Sequence, residues 1–290
     1  MSEVNDNLNC SQASQTCNSN CSACGVDCPS RDNNQAANNF MLEPNKYSSI
    51  KKVIAVMSGK GGVGKSMVTA LLAAACAKAG LKTAIMDTDI TGPSIPKILG
   101  VSDKAMGGRE GIFPAVSKFG IEIMSMNLLL DSDTAPVVWR GPIIAGMVSQ
   151  FWQDVEWGDI DIMFIDMPPG TGDVPLTVFQ SLPIDGIIAV TSPQDLTNMI
   201  VEKAVKMAEL MNMKIIALIE NMSGFKCPSC GQVHDIFGKS KLEEIAAQND
   251  IKVICRVPID ARIAQAADAG ELESLELDLF TPVLNAINNL

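Results

Sequence analysis

The sequence has 290 residues and is 47% hydrophobic, which is enough apolar material for one large domain or two small ones with a buried core. Its net charge of −11 and pI near 4.6 argue against broad binding to nucleic acids or anionic membranes, because both need a basic surface. No apolar run approaches the roughly 18 residues that span a bilayer, and the first residues lack the features of a secretory signal, so we expect a cytoplasmic protein.

Residues 1–46 are predicted to form a flexible tail. They are rich in Asn, Ser and Cys and poor in large apolar residues, so burial cannot offset the entropy of ordering them. Four thiols with the spacing C-x3-C-x2-C-x3-C stand within reach of one metal centre: Cys17, Cys21, Cys24 and Cys28. Metal binding would order the tail. Cys10 could replace one ligand, and zinc or no metal at all remains an alternative.

Residues 47–290 are predicted to form one α/β domain. Short β-branched runs alternate with longer helical stretches, which is typical of βαβ units in a mostly parallel sheet flanked by helices. The predicted strands carry the sequences KVIAV, TAIMD, DIMFID, GIIAVT, KIIALIE and IKVICRV. Residues 107–130 are predicted to form an antiparallel hairpin inserted between these units.

The segment SGKGGVGKS, residues 58–66, lies between the first predicted strand and a helical run. It fits G-x-x-x-x-G-K-[ST], in which backbone N–H groups surround phosphates, Lys65 reaches the β/γ oxygens and Ser66 offers its hydroxyl to Mg²⁺. The alternative is a glycine-rich turn without a ligand. The predicted nucleotide contacts of this segment are Gly59, Lys60, Gly61, Gly62, Val63, Gly64, Lys65, Ser66 and Met67.

The second lysine of this loop, Lys60, is not needed to hold one nucleotide. The K-G-G-x-G-K-[ST] form resembles the deviant Walker A family of MinD, ParA and nitrogenase iron-protein type. The resemblance implies a MinD-like fold and a nucleotide-dependent homodimer in which Lys60 stabilises transition-state charge at the nucleotide of the partner subunit. A solvated surface lysine is the alternative.

Three aspartates follow predicted strands, and the carboxyl ends of parallel strands face the crevice where ligands bind. The resemblance implies that Asp166 holds the Mg²⁺ shell, that Asp89 orients the attacking water and that Asp87 supports the metal site. It also implies that the turn at 170–172 senses the γ-phosphate. Helix capping is the alternative for each aspartate.

Two further residues are assigned to the purine base by the same resemblance. Asn221 ends the strand LIEN, and Pro258 would form the opposite wall of the base site. As isolated features, both residue types are common in turns.

A C-x2-C pair, Cys227 and Cys230, follows Asn221 on a predicted loop. It supplies two thiolates to a centre that generally takes four, and a two-fold axis between two chains would complete the set. That arrangement suits a [4Fe–4S] cluster bridging a homodimer. A zinc knuckle and a thioredoxin-like redox pair remain alternatives. The lone His234 is a weaker ligand candidate, whereas Cys76 and Cys255 are predicted to be core residues.

The order of motifs from about residue 51 to the C-terminus resembles the Mrp/ApbC group of iron–sulfur carrier ATPases. The matching segments are DTDITGPSIP, WRGP, DMPPGTGD, SPQDL, ENMSGFKCPSCG and VPID. The resemblance implies an ATPase that uses ATP and Mg²⁺ and transfers a [4Fe–4S] cluster to apo-proteins. It also implies an iron–sulfur centre at Cys17, Cys21, Cys24 and Cys28. The alternatives are a MinD/ParA-like positioning ATPase and a nucleotide-gated electron-transfer protein like the nitrogenase iron protein.

Overall fold

A computed structural model describes residues 41–89, 92, 94–108, 110–130, 141–170, 173–193 and 197–290. The predicted four-cysteine site of the tail, Cys10 and residues 171 and 172 of the predicted γ-phosphate turn lie outside these residues. Residues Leu42–Leu290 form one compact unit. Across the described ranges, no helix has both the length and the apolar character needed to cross a membrane.

The structure places strands and helices in alternation along this unit. The strands are β1 (Ser49–Ile50), β2 (Val53–Ser58), β3 (Thr83–Asp87), β4 (Met106–Gly107), β5 (Ile112–Phe113), β6 (Ala115–Val116), β7 (Glu122–Met124), β8 (Asp159–Ile160), β9 (Ile162–Asp166), β10 (Gly186–Thr191), β11 (Ile215–Lys226), β12 (Val233–His234) and β13 (Ile254–Ile259). The helices are α1 (Lys65–Lys78), α2 (Ile95–Ile98), α3 (Gly141–Gln153), α4 (Asp173–Ser181), α5 (Thr197–Leu210), α6 (Leu242–Gln248), α7 (Ala261–Asp268) and α8 (Thr281–Asn288).

The main sheet has the order β12-β11-β10-β2-β9-β3-β7-β6, with β13 also paired to β11. The pairs from β13 and β11 across to β7 are parallel, whereas β12 and β6 pair antiparallel at the two sides. The mostly parallel sheet predicted from the sequence is therefore confirmed. The carboxyl ends of β2, β3, β9 and β11 lie along one edge, where a ligand crevice is expected.

The central strands are buried on both faces because helices cover each side of the sheet. On β2, Ile54 and Val56 belong to the cluster that packs around α1. The alternate residues Ala55 and Met57 belong to the cluster on the other face, around Trp152. This explains the near-continuous hydrophobic sequences of the strands, which is the usual pattern of a doubly covered parallel sheet.

Residues 42–46, which the sequence assigns to the tail, are hydrogen-bonded to the α/β unit. The Leu42 N–H donates to the carbonyl oxygen of Ser181 at 2.8 Å, and Trp152 Nε1 donates to the Leu42 carbonyl oxygen at 2.9 Å. Asn45 is 7% exposed, and its Nδ2 donates to the Gln153 carbonyl oxygen. Residues 42–46 of the predicted tail are thus packed against the α/β unit.

The predicted hairpin within residues 107–130 is confirmed by the antiparallel pairing of β6 with β7. It is joined to the main sheet, since β7 also pairs in parallel with β3 through Ala84–Glu122, Ile85–Ile123 and Met86–Met124.

Candidate nucleotide and thiol site

The predicted phosphate loop connects the carboxyl end of β2 to the amino end of α1. Gly62 and Gly64 have φ angles of 83° and 78°, in the left-handed region that favours glycine. A Cβ on Gly64 would lie 2.2 Å from Asn221 Nδ2, so a side chain there would have to displace the loop or the asparagine. Both glycines are therefore required by local geometry.

A cleft of about 270 Å³ opens above this loop. Its lining combines loop glycines, the start of α1 and residues that follow β3 and β9: Ser58, Gly61, Gly62, Gly64, Lys65, Ser66, Met67, Asp89, Ser94, Ile98 and Pro169. Gly59, Lys60 and Val63 belong to the same loop, and Ser58 Oγ donates to the Lys60 carbonyl oxygen at 3.1 Å. The N-terminus of α1 faces this space with backbone N–H groups, which favours an anionic ligand.

Asp166, at the end of β9, is fully buried and is the centre of a hydrogen-bond network. Its Oδ2 accepts from Ser66 Oγ at 2.6 Å and lies 2.8 Å from Lys65 Nζ. Its Oδ1 accepts from Thr69 Oγ1 at 2.7 Å. Its backbone carbonyl oxygen accepts from Thr88 N and Oγ1 at 3.0 and 2.8 Å. The structure thus brings into direct contact Lys65, Ser66 and Asp166, which the sequence analysis assigns to one nucleotide site.

Asp87 and Asp89 lie beside this network at the end of β3. Asp87 Oδ1 accepts from the Asp89 backbone N–H at 3.1 Å, and its Oδ2 accepts from Ser125 Oγ at 3.0 Å. Burial and, next, the Asp166 carboxylate raise the pKa of Asp87 well above its ordinary value. Asp89 is partly exposed to the cleft, and its Oδ2 lies 3.8 Å from Lys65 Nζ.

These residues fit a magnesium ion by their chemistry. Ser66 and Asp89 line the cleft, and the buried Asp87 and Asp166 lie behind them, hydrogen-bonded to the Asp89 backbone and to Ser66. The side-chain ligand atoms of all four residues are oxygens, which Mg²⁺ prefers together with water and phosphate. Lys65 provides the positive charge that a phosphate would meet there.

Asn221 joins β11 to the phosphate loop. Its Nδ2 donates to the Val63 carbonyl oxygen at 2.9 Å, and its Oδ1 accepts from the Met222 backbone N–H at 3.0 Å. The register partner of Asn221 on β13 is Val257, so the exposed Pro258 lies on the neighbouring strand. The assignment of Pro258 as a wall of the base site stays a prediction.

Cys227 and Cys230 lie at the turn of the β11–β12 hairpin. The Cys227 N–H donates to the Gln232 carbonyl oxygen at 2.9 Å, and Gly231, with φ 73°, donates its N–H to the Cys227 carbonyl oxygen at 2.8 Å. The predicted loop is thus shorter than expected, because β11 continues to Lys226 through pairing with β12 and β13.

The hairpin thiols differ from the other described cysteines. Cys230 is exposed and Cys227 half-buried. Hydrogen bonds from the backbone of Cys230 and Ser229 lower the pKa of Cys227. In contrast, Cys76 and Cys255 are buried in the hydrophobic core, as predicted, and burial raises the pKa of Cys76 to about 12 and that of Cys255 to about 11. Within the ranges that the structure describes, no third Cys, His, Asp or Glu completes a metal site with the hairpin pair.

A side-chain hydrogen bond links the segment between β12 and α6 back to β11. Glu220, 2% exposed, accepts through Oε2 from Ser240 Oγ at 2.8 Å. Its Oε1 has no hydrogen bond in the described part of the chain, although Arg256 Nε lies 3.7 Å away. Burial raises the pKa of Glu220.

Four polar residues of this region have no role predicted from the sequence: Thr69, Thr88, Ser125 and Glu220. Thr69 had one available signal, because it lies one helical turn after Lys65 on the same face of α1. The contacts of Ser125 and Glu220 come from residues 38 and 20 positions away along the chain, and no local pattern indicates them.

Known proteins resemble this chain in both sequence and structure. A family model described as ParA, NUBPL iron-transfer P-loop NTPase, matches residues 49–288. The iron–sulfur cluster carrier protein of Methanocaldococcus jannaschii is 46% identical over 258 residues, which cover 88% of this chain and 89% of that protein. A nucleotide-binding protein from Archaeoglobus fulgidus, solved in complex with ADP, is 44% identical with a TM-score of 0.73 and covers 80% of this chain and 91% of its own.

A more distant structure supports the fold alone. The cell division ATPase MinD of Pyrococcus furiosus is 18% identical, with a TM-score of 0.59 over 82% of this chain and 98% of its own. The MinD-like architecture predicted from the sequence is confirmed by this likeness.

Proposed function

The chain belongs to the ParA/NUBPL family of iron-transfer P-loop NTPases, and from that premise we propose that it is an ATP-hydrolysing iron–sulfur cluster carrier. ATP would bind in the cleft above the phosphate loop, and a [4Fe–4S] cluster would be its cargo. The observation that carries the proposal is that one strand, β11, connects the phosphate-loop contact of Asn221 to the thiol hairpin.

The hydrogen bonds of Asn221 support adenine as the base. A primary amide has two N–H donors and two acceptor lone pairs. Val63 takes one donor and Met222 occupies one lone pair, which leaves one of each. Adenine offers the complementary pair at N6 and N7, whereas guanine offers two acceptors at O6 and N7.

The site also supports hydrolysis. When bound, Mg²⁺ would neutralise developing charge on the phosphates, and Ser66, Asp87, Asp89 and Asp166 are the residues that would hold it or its water shell. Asp89, exposed to the cleft, would orient the attacking water. Lys65 would contact the β/γ oxygens, and Lys60 of one subunit would stabilise charge at the nucleotide of the other.

The thiol hairpin supports a homodimer with a shared cargo. Two thiols are half of the usual ligand set of a [4Fe–4S] cluster. Close to them in the chain, Val233, Ile236 and Phe237 are 62%, 57% and 38% exposed, which gives this hairpin and the segment after it an exposed apolar group. A two-fold axis near this hairpin would cover the apolar side chains and bring four thiolates together.

Nucleotide state would reach the cluster through β11. Met222 has φ 59°, a strained conformation for a non-glycine residue, and the β11–β13 register shifts between Asn221 and Phe225. A change at Asn221 would therefore alter a strained segment directly before the hairpin. We propose this as the route by which ATP binding and hydrolysis change cluster retention.

The remaining predictions complete the proposal. Apo iron–sulfur proteins would receive the cluster, and a reducing cytoplasm would keep the thiols available. Cys17, Cys21, Cys24 and Cys28 would hold a second centre, with zinc as the alternative metal.

Cluster transfer is the direct test. Full-length protein, reconstituted anaerobically, is mixed with the apo-form of a [4Fe–4S] enzyme whose activity depends on its cluster. We expect activity to return with the wild-type donor and to fall strongly with Cys227→Ala/Cys230→Ala, while Cys76→Ala behaves as wild type. Equal transfer from the double variant, or zinc in place of iron at the hairpin, would contradict the proposal.

A further inference from the structure

We infer that Thr69 is a positioning residue for the magnesium site, acting through the Asp166 carboxylate. The inference rests on the proposed ATPase function, in which Asp166 holds the Mg²⁺ shell. It concerns a residue that lies outside the phosphate-loop motif and the predicted switch segments.

The contact is buried and specific. Thr69 is 0% exposed, and its Oγ1 lies 2.7 Å from Asp166 Oδ1 and 3.0 Å from the Lys65 carbonyl oxygen. A hydroxyl has one proton, and the shorter, charge-assisted bond to the carboxylate is the stronger of the two. Thr69 therefore donates to Asp166.

This bond gives the two carboxylate oxygens of Asp166 different partners. Oδ1 is held by Thr69 on the helix side, which leaves Oδ2 directed at Ser66 Oγ, 2.6 Å away, and at Lys65 Nζ. Thr88, directly after β3, holds the backbone carbonyl oxygen of the same aspartate. The backbone of Asp166 is thus held by Thr88 and its carboxylate plane by Thr69, and rotation of the carboxylate would carry Oδ2 away from Ser66.

A threonine at position 69 destabilises the helix unless its hydroxyl makes a hydrogen bond. A β-branched polar residue inside α1 has a lower helix propensity than the alanines around it, and an unpaired buried hydroxyl would add a desolvation penalty. Thr69→Val keeps shape and burial but removes the donor. Groups that orient metal ligands in this way typically contribute about 10–100-fold to metal affinity.

The test measures binding rather than turnover. A fluorescent N-methylanthraniloyl ADP is titrated into the full-length protein in EDTA and at increasing Mg²⁺ concentrations. For Thr69→Val we expect unchanged affinity in EDTA and a Mg²⁺ half-saturation raised by about 10-fold or more. Thr69→Ser, which keeps the hydroxyl, should restore the wild-type value.

Thr83→Val is the matched control, because Thr83 is also buried but donates to the Leu81 carbonyl oxygen away from the cleft. If Thr69→Val does not fold, Thr69→Ala takes its place in the same titration. Unchanged Mg²⁺ half-saturation in a folded variant, or the same loss in Thr69→Ser, would overturn the inference. A wild-type protein whose ADP affinity ignores Mg²⁺ would instead count against the proposed ATPase function.

Discussion

Asn221 Nδ2 donates a hydrogen bond to the Val63 carbonyl oxygen at 2.9 Å, across 158 positions of the chain. Through this contact the phosphate loop is attached to β11, and β11 ends one residue before Cys227. The nucleotide cleft and the thiol hairpin are therefore parts of one continuous structure rather than separate sites.

Replacing Asn221 should change base selectivity. In Asn221→Ala the remaining donor and acceptor for adenine are lost, so we expect ATP affinity to fall about 10-fold and the preference for ATP over GTP to shrink. Equilibrium binding of both nucleotides measures this. Asn249→Ala is the control, since Asn249 also donates to a backbone carbonyl, that of Ile245 on α6, outside the cleft. An unchanged ATP/GTP ratio in Asn221→Ala would contradict the base assignment.

Gly64→Ala should abolish most ATP turnover. The new Cβ would lie 2.2 Å from Asn221 Nδ2 at a residue with φ 78°, so the loop must shift. Displacement on the order of 1 Å costs about 100-fold in kcat/KM. Gly80→Ala is the control for backbone strain alone. Gly80 has a similar φ of 83°, but a Cβ added there would have no other atom within 4 Å. It should cost about 1–2 kcal/mol in the free energy of unfolding and leave turnover unchanged.

Met222→Gly should weaken the link between nucleotide and hairpin. Glycine adopts the φ of 59° without strain, so the segment after Asn221 would respond less to the cleft. Hydrogen exchange of residues 226–239, with and without ATP, measures the response. We expect the ATP-dependent difference in wild type to shrink in this variant. Asn212→Gly, with φ 53° at a turn after α5, should keep it. Equal differences in both variants would argue against Met222 as part of the route.

Glu122 should make stability depend on pH. Burial raises its pKa from 4.5 to about 7, and its buried Oε2 has no hydrogen bond among the described residues. Because the folded state binds the proton more tightly than the unfolded state, the free energy of unfolding should fall as pH rises from about 4.5 through 7.

Glu122→Gln removes this penalty. After discounting for partial solvent screening, we expect the variant to be more stable than wild type by about 1–2 kcal/mol at pH 8 and nearly equal to it at pH 5. Urea denaturation at the two pH values measures the difference. A variant less stable than wild type at pH 8 would show that the ionised carboxylate is compensated in the folded protein.

Most strands of this fold can be predicted from the sequence, because each is specified by a few consecutive residues. TAIMD and GIIAVT coincide with β3 and β10, since each is a continuous apolar run at the centre of a doubly covered sheet. β11 differs, because ENMSGFK contains Asn, Ser and Gly, which ordinarily favour turns. Pairing with β12 and β13 overrides that preference and carries the strand to Lys226.

In the candidate site, too, some residues could be predicted from local sequence and others depend on long-range packing. Lys65 and Ser66 were predictable from a motif whose spacing reflects their shared task. Asp166 was predictable from its place at a strand end together with the family resemblance. The pairing of Thr69 with Asp166 and of Glu220 with Ser240 depends on how distant segments pack. Such contacts carry no periodicity or motif that a single sequence displays.

Metal analysis after anaerobic reconstitution tests most directly whether two copies of the hairpin share one cluster. Full-length protein with serine in place of Cys17, Cys21, Cys24 and Cys28 removes the contribution of the tail, and its mass and its iron and sulfide contents are measured together. The account predicts a dimer with about four iron and four sulfide ions per two chains, lost in Cys227→Ala/Cys230→Ala and retained in Cys76→Ala. Iron that remains in the double variant, or a full cluster on a monomer, would contradict it.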